Sequence, residues 1–262
     1  MKEELQVALL QQDLVWQDAE WNRRNFEEVI ESLPEIDVIV LPEMFTTGFS
    51  MNAEVLAETM EGDSMEWMKY IAKRQQAAVV GSLIVKESGN YYNRLCFVHP
   101  EEKIEHYDKR HTFTLAGEDK VFTAGNSRLI VDYKGWKICP LICYDLRFPV
   151  WSRNNENYDV LLYLANWPQR RIEAWDVLLK ARAIENMSYC LGVNRVGYDG
   201  NGVNYNGHSA AYDVLGKRID QMNEPNKAYA EVVSLTAKPI KNYRSKLGFL
   251  KDRDAFTLSK IQ

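Results

Sequence analysis

Two hydrophobic rhythms alternate along the chain. Residues 5–11 (LQVALLQ), 37–42 (DVIVLP) and 77–85 (AAVVGSLIV) are short, nearly continuous apolar runs. That is the pattern of strands in a sheet covered on both faces. Between them, Asp18 to Leu33 sets Trp21, Phe26, Val29, Ile30 and Leu33 near helical spacing and stops at Pro34. Residues 43–62 read as a loop broken by Gly48, and Asp63 is placed to cap a helix running to about Gln76.

The middle of the chain changes style. Asn90–Val98 and Lys103–Tyr107 predict a hairpin around the turn at 99–102, followed by a polar loop over 108–126. Arg128–Asp132 and Trp136–Ile142 predict a second hairpin across Tyr133-Lys134-Gly135, and Tyr158–Leu164 a further apolar strand. Ile172, Trp175, Leu179, Ala183 and Met187 form a stripe that predicts a long amphipathic helix over 171–187. Strands are expected again at 189–195, 208–213 and 227–233. Residues 236–262 read as a helix with a basic, aromatic tail, packing on its own domain or on a neighbouring subunit, with Phe249 and Phe256 buried. Hairpins flanked by strand–helix alternation predict layered sheets with helices outside. With no Pro/Gly/Ser-rich linker and no internal repeat, residues 1–262 are read as one α/β domain.

Composition narrows the function. The 262 residues are 46% hydrophobic and 26% charged, which excludes a disordered or low-complexity chain. A net charge of -5 lacks the basic footprint of a nucleic-acid binder. No apolar run approaches the ~18 residues of a membrane span. The start, MKEELQVALLQQD, lacks the basic end and long apolar core of a secretory leader, so a cytoplasmic protein is expected. Four cysteines, Cys96, Cys139, Cys143 and Cys190, are too few for a disulfide scaffold and are read as free thiols. The four histidines sit in no HExxH or Cys-x-x-Cys pattern, and no phosphate-binding GxxxxGK[ST] loop is present, so no metal or cofactor is expected.

Three segments carry candidate chemistry. In LPEMF (41–45), Glu43 directly follows an apolar strand, the end of a strand where open α/β sheets place reacting groups. In EHYDKRHTF (105–113), Lys109 also follows a strand, within a cationic stretch that includes His106, Arg110 and His111. In KICPLICYDLRFP (137–149), a strand delivers Cys143 to a turn, and Asp145–Pro149 reads as the start of a helix. A thiol there would meet backbone N–H groups and the positive end of a helix dipole, which favour the thiolate and suit an oxyanion. Cys139, Cys96 and Cys190 fall within strands and are taken as core. Taken singly, Glu43 and Lys109 would pass for solvated loop residues, and Cys143 for a buried structural thiol. Together they describe acyl transfer: Glu43 as general base, Cys143 as nucleophile, Lys109 stabilising the developing negative charge.

In order, context and spacing, the three segments resemble the Glu-Lys-Cys triad of the nitrilase superfamily of carbon–nitrogen hydrolases, and the likeness runs from QVALLQQD to about Tyr243. The resemblance implies a four-layer α-β-β-α sandwich that pairs into homodimers or larger homo-oligomers. It implies a further active-site glutamate in GEDKVFTAGN (117–126), Glu118, orienting Lys109 or assisting proton transfer. It also places Trp167 of ANWPQRR (165–171) in the pocket. QDLVWQDAEWNRRNF (12–26) and LPEMFTTGFSMN (41–52) resemble the omega-amidase branch, which hydrolyses monoamides of dicarboxylic acids such as 2-oxoglutaramate and succinamate. Such a pocket needs a cation for the distal carboxylate, and Arg170, Arg171 and Arg195 are the candidates. Phe45, Phe113 and Tyr144 are expected to join Trp167 at the substrate, and Arg147 to brace the turn after Cys143. An N-carbamoyl amino acid amidohydrolase, another aliphatic amidase and a catalytically silent scaffold protein are the alternatives.

Overall fold

The computed structural model describes residues 1–221 and 224–258. Strand β1 (Glu4–Gln11) is continuously apolar and buried from Val7 to Leu10 because both of its faces are covered there. Leu5, Val7 and Leu9 face the core between two sheets, whereas Ala8 and Leu10 face a layer of helices. The same division holds in β2 (Val38–Val40) and β3 (Ala78–Glu87): Val38, Val40 and Val80 turn inward, Ile39 and Val79 outward.

β4 (Asn90–Val98) and β5 (Ile104–Asp108) extend this sheet antiparallel to β3. On the other side, β13 (Tyr229–Thr236) pairs antiparallel with β1, giving the order β13-β1-β2-β3-β4-β5. The second sheet holds β6 (Val131–Tyr133), β7 (Trp136–Ile142), β8 (Val160–Ala165), β9 (Tyr189–Asn194) and β12 (Ala210–Tyr212) in the order β12-β9-β8-β7-β6. Its centre, β7-β8-β9, is parallel. A separate ribbon pairs β10 (Val196–Tyr198) with β11 (Asn204–Asn206).

Helices cover the outer faces. Phe26 and Ile30 of α1 (Ala19–Glu31), with Met65, Met68 and Ile71 of α3 (Asp63–Gln75), pack on the first sheet. α5 (Ile172–Asn186) lies on the second sheet so closely that a side chain at Gly192 of β9 would meet Leu179 and Trp175 at 2.6 Å. The result is the α-β-β-α layering expected from the resemblance. A charged clamp ties the sheets at one edge: buried Asp37 accepts from the Lys2 (2.8 Å) and Lys134 (2.5 Å) ammonium groups and from the Gln6 N–H (2.9 Å). Lys134 lies in the β6–β7 turn of the second sheet, and Gln6 and Asp37 belong to the first.

Several local expectations are corrected. The N-cap of α3 is Gly62, not Asp63; the Ser64 N–H is met instead by the Glu58 carboxylate at 2.7 Å. Trp21 stands 46% exposed on the outer face of α1. The loop at 43–62 contains one helical turn, α2 (Ala53–Leu56). Residues 128–130 precede strand β6 instead of belonging to it. Asp145–Pro149 does not start a long helix: Cys143–Arg147 is a tight 3₁₀ turn, followed by the single turn α4 (Pro149–Ser152). The expected C-terminal helix is α6 (Ala237–Leu247), but Phe249 and Phe256 are exposed in the single chain (57% and 39%), and the end of the tail, 259–262, lies outside the described residues.

Candidate active site

Three strand ends converge on one point. Glu43 follows β2, Lys109 follows β5 and Cys143 follows β7, so the two sheets contribute to the same site. Met44 (φ 45°) and Cys143 (φ 41°) both take the left-handed backbone conformation that residues with side chains adopt rarely. Each reverses the chain sharply at a strand end, which directs Glu43 and Cys143 inward.

The carboxylates and the ammonium form one buried array. Lys109 Nζ donates to Glu43 Oε1 at 2.8 Å and to Glu118 Oε1 and Oε2 at 3.0 and 2.9 Å. None of the three side chains is more than 1% exposed. Glu118 Oε2 also accepts the Phe113 N–H at 2.5 Å. The Asn93 side chain on β4 donates to both carboxylates, 2.8 Å to Glu43 Oε1 and 3.2 Å to Glu118 Oε1, while its main-chain carbonyl accepts the Lys109 N–H at 3.0 Å. Asn166, just past β8, holds Glu43 from the other side: its N–H donates to Oε2 at 2.9 Å and its side chain to the Glu43 carbonyl at 2.5 Å. The Cys143 thiol points to the Asn166 carbonyl at 3.9 Å.

Burial opposes the charge on Lys109, but Glu118 and then Glu43 outweigh it and hold the ammonium well above its ordinary range. Burial pushes the Glu118 carboxyl up; Lys109 pulls it back and Glu43 adds to the rise. Burial, and then Glu43, pushes the Cys143 thiol well above its usual range against the pull of Lys109. The thiolate expected from a helix dipole is therefore not the resting form. The turn after Cys143 is short, and a buried sulfur beside a carboxylate keeps its proton until a base removes it.

The Cys143 turn is braced from behind. Asp145 accepts the Ile142 N–H (3.0 Å), the Tyr107 hydroxyl (2.8 Å) and both the N–H and the ring Nδ1 of His111 (3.1 and 2.8 Å). The Tyr107 hydroxyl in turn accepts from the Arg110 N–H (3.1 Å) and Trp151 Nε1 (3.0 Å). This network locks the nucleophile turn to the segment that carries Lys109.

A cavity of 430 Å³ opens over the array. Of the residues expected at the substrate, Phe113, Tyr144, Trp167, Arg170 and Arg171 line it. Phe45 does not. It is buried against Phe26 and Trp67 on the helix side of the sheet, in space left by Gly81, where a Cβ would lie 2.9 Å from its ring. Nor does Arg195. Its guanidinium is buried on Asp13, the Leu14 carbonyl and the Tyr198 carbonyl, bracing the β10–β11 ribbon. Arg147 reverses expectation in the other direction: it lines the cavity with its guanidinium 4.8 Å over the Trp167 ring. Asn93, Asn166, Trp16, Phe49 and Tyr205 complete the site, and the sequence reading passed over them. Asn93 and Asn166 could have been sought, because each sits in or just beyond an apolar strand, where a polar side chain needs a partner. Among the described residues no cluster of three or more His, Cys, Asp and Glu is arranged to hold a metal ion.

A carboxylate, an ammonium and a thiol at three strand ends of an α-β-β-α sandwich, with a second buried carboxylate from the loop after Lys109, define a hydrolase of carbon–nitrogen bonds. The carbon-nitrogen hydrolase profile matches residues 6–241, and the chain belongs to that family. It is 46% identical to "Omega-amidase YafV" of Yersinia enterocolitica over 97% of this chain and 98% of that one. To "2-oxoglutaramate amidase" of Bacillus subtilis it is 34% identical over 80% and 83% of the two chains. Among solved structures, a CN-hydrolase superfamily protein from Xanthomonas campestris, which carries an arsenic adduct in its active site, superposes with a TM-score of 0.94. The two are 38% identical over 98% of this chain and 99% of that one.

Proposed function

We propose that this protein is an omega-amidase: it cleaves the terminal amide of dicarboxylic acid monoamides such as 2-oxoglutaramate and succinamate to the acid and ammonia. Glu43, Lys109, Cys143 and Glu118 are its catalytic groups. Glu43 takes the thiol proton as Cys143 Sγ attacks the amide carbon. Lys109 and the N–H of Tyr144, which has no partner within its own short turn, receive the negative charge that develops on the amide oxygen. Collapse of the tetrahedral adduct breaks the C–N bond, and Glu43 returns the proton to the departing nitrogen, leaving a thioester and ammonia. Water then attacks the thioester, its proton passing to Glu43, and the released thiolate takes that proton back. Glu118 shares the Lys109 ammonium with Glu43 and so fixes its direction.

The observation that carries the choice of substrate is the rim of the cavity. Arg147, Arg170 and Arg171 line it together, and among the described residues none of the three has a carboxylate partner. Burial, and then Arg170, lower the pKa of Arg171. Its guanidinium lies 4.9 Å over the Phe113 ring, so an anion placed between these cations relieves their repulsion. A dicarboxylic monoamide supplies that anion at the end opposite its amide. The similarity to the two amidases supports the same reading. Residues 1–262 act as one unit, with exposed Phe249, Phe256 and Leu258 favouring contact with a second subunit in a homo-oligomer. Four buried free cysteines suit a reducing compartment such as the cytoplasm.

The test is ammonia release from 2-oxoglutaramate and succinamate, beside an N-carbamoyl amino acid, a simple nitrile and Cys143→Ala protein. Rapid release from the two monoamides alone, lost in the variant, is expected. Turnover of another member of the panel in their place overturns the substrate assignment.

A further inference from the structure

Asn93 contacts three of the four catalytic residues, yet it neither reaches the cavity nor carries a charge. Its side-chain nitrogen has two hydrogens, and the structure gives each one a carboxylate: Glu43 Oε1 at 2.8 Å and Glu118 Oε1 at 3.2 Å. Its carbonyl oxygen accepts the Ser82 hydroxyl at 3.0 Å. Ser82 Oγ in turn accepts the Met44 N–H at 2.8 Å, which directs the hydroxyl hydrogen toward Asn93. The amide is thereby fixed in one orientation. Turned over, it would set its carbonyl against two carboxylates and leave Ser82 facing an NH₂ group. Asn93 and Ser82 are both buried.

This arrangement divides the labour between the two oxygens of Glu43. Oε1 receives two donors, Lys109 Nζ and Asn93 Nδ2. Oε2 receives one, the Asn166 N–H. A carboxylate oxygen accepts about two hydrogen bonds in the carboxylate plane. Oε1 is therefore saturated, and Oε2 keeps the site that can take a proton from sulfur. We propose that Asn93, oriented by Ser82, is a positioning residue that occupies Glu43 Oε1 and so assigns Oε2 as the base for the Cys143 proton. The inference rests on the amidase mechanism above, with Glu43 as base.

The charged and titratable groups facing this point are Lys109, Glu118 and Cys143, with Arg171 and Tyr205 across the cavity. Replacing the amide by a carboxylate adds a third buried negative charge beside Glu43, which holds protons more tightly in that company. The acid limb of the kcat/KM–pH profile for succinamate should then move upward by a pH unit or more in Asn93→Asp. Asn93→Ala should lose tenfold or more in kcat with KM held within about threefold, because Oε1 gains an open site that competes for the proton. Ser82→Ala keeps the fold closest to the original and should lower kcat severalfold in the same manner, since the amide is freed to turn.

Glu43→Gln run in parallel separates the two ideas. If it hydrolyses succinamate as the wild type does, the mechanism falls and the inference with it. If it is inactive while Asn93→Asp keeps the wild-type pH profile and Ser82→Ala the wild-type kcat, the role of Asn93 alone is overturned. A uniform loss at every pH in Asn93→Asp, with an unmoved acid limb, likewise assigns Asn93 a merely structural part.

Discussion

At the scale of residues, the site is a problem of placing charge where water is absent. Lys109 is stable as an ammonium only because two carboxylates surround it. Glu43→Gln should lower kcat by ~10²–10⁴, the usual worth of a positioned general base. The same variant exposes the raised thiol. Its reaction with iodoacetamide should climb with pH through 9 without levelling, because burial alone still disfavours the thiolate; a plateau below pH 8 would contradict this. Removing the Arg171 guanidinium (Arg171→Ala) takes away a charged partner worth about 1.5–3 kcal/mol. KM for succinamate should rise ~10–100-fold, while a neutral aliphatic amide is affected far less; equal effects on both would show that Arg171 does not meet the distal carboxylate.

The reacting trio was legible in the sequence because each member stands at the end of a strand, apolar before Glu43 and Cys143 and short and polar before Lys109, and because the three segments resemble one family's triad in order and spacing. The second tier was not. Asn93 is one polar position inside a strand pattern, and nothing along the chain says that its amide faces two carboxylates contributed by residues 50 positions before it and 25 after. Phe45 and Arg195 were misplaced for a related reason. Adjacency to LPEMF does not set the side of the sheet that Phe45 takes, and a positive charge suited to a carboxylate does not set where Arg195 points; both face away from the cavity.

At the scale of elements, the turn after β7 does more than its five residues suggest. It is too short to act through a helix dipole, and it depends on Asp145 and Tyr107 for its shape. Tyr107→Phe leaves the Asp145 carboxylate short of one donor and two buried N–H groups without their acceptor. The loss should be about 1–3 kcal/mol per orphaned group, read as a lower urea midpoint, together with a fall in kcat larger than any change in KM. An unchanged midpoint would mean that water replaces the hydroxyl. The long strands and the helices α1 and α5 were legible from the spacing of their apolar positions, and α3 from Asp63, which lies in its first turn and not at its cap. The β10–β11 ribbon was missed because each strand is three residues long, too short for alternation to register. Arg195 gives that ribbon its anchor.

At the scale of the whole molecule, two sheets share one core and one active site, so whatever holds them in register also holds the chemistry. Burial would raise the Asp37 carboxyl, but hydrogen bonds from Lys134, Lys2 and the Gln6 N–H more than offset it and hold it below the usual carboxylate range. A carboxyl depressed on folding contributes stability above its unfolded value of about 3.9, and that contribution is lost as pH falls through the lower folded value. Asp37→Asn should therefore be less stable than wild type by a constant margin from pH 5 to 7, and the margin should shrink below pH 4. A margin that grows on acidification would refute the clamp. The layered architecture was readable from the alternation of hairpins and strand–helix units, whereas the pairing of the first strand with the last was not, since no local pattern encodes a partner more than two hundred residues away. That pairing has a consequence for synthesis. β1 leaves the ribosome with one edge open, and its partner there does not begin until residue 229. At ~5–20 residues per second the nascent chain carries an unpaired apolar strand for on the order of ten seconds or longer. Glu43, Lys109 and Cys143 have all been translated well before that edge is closed, so the exposed edge outlasts the making of the catalytic groups.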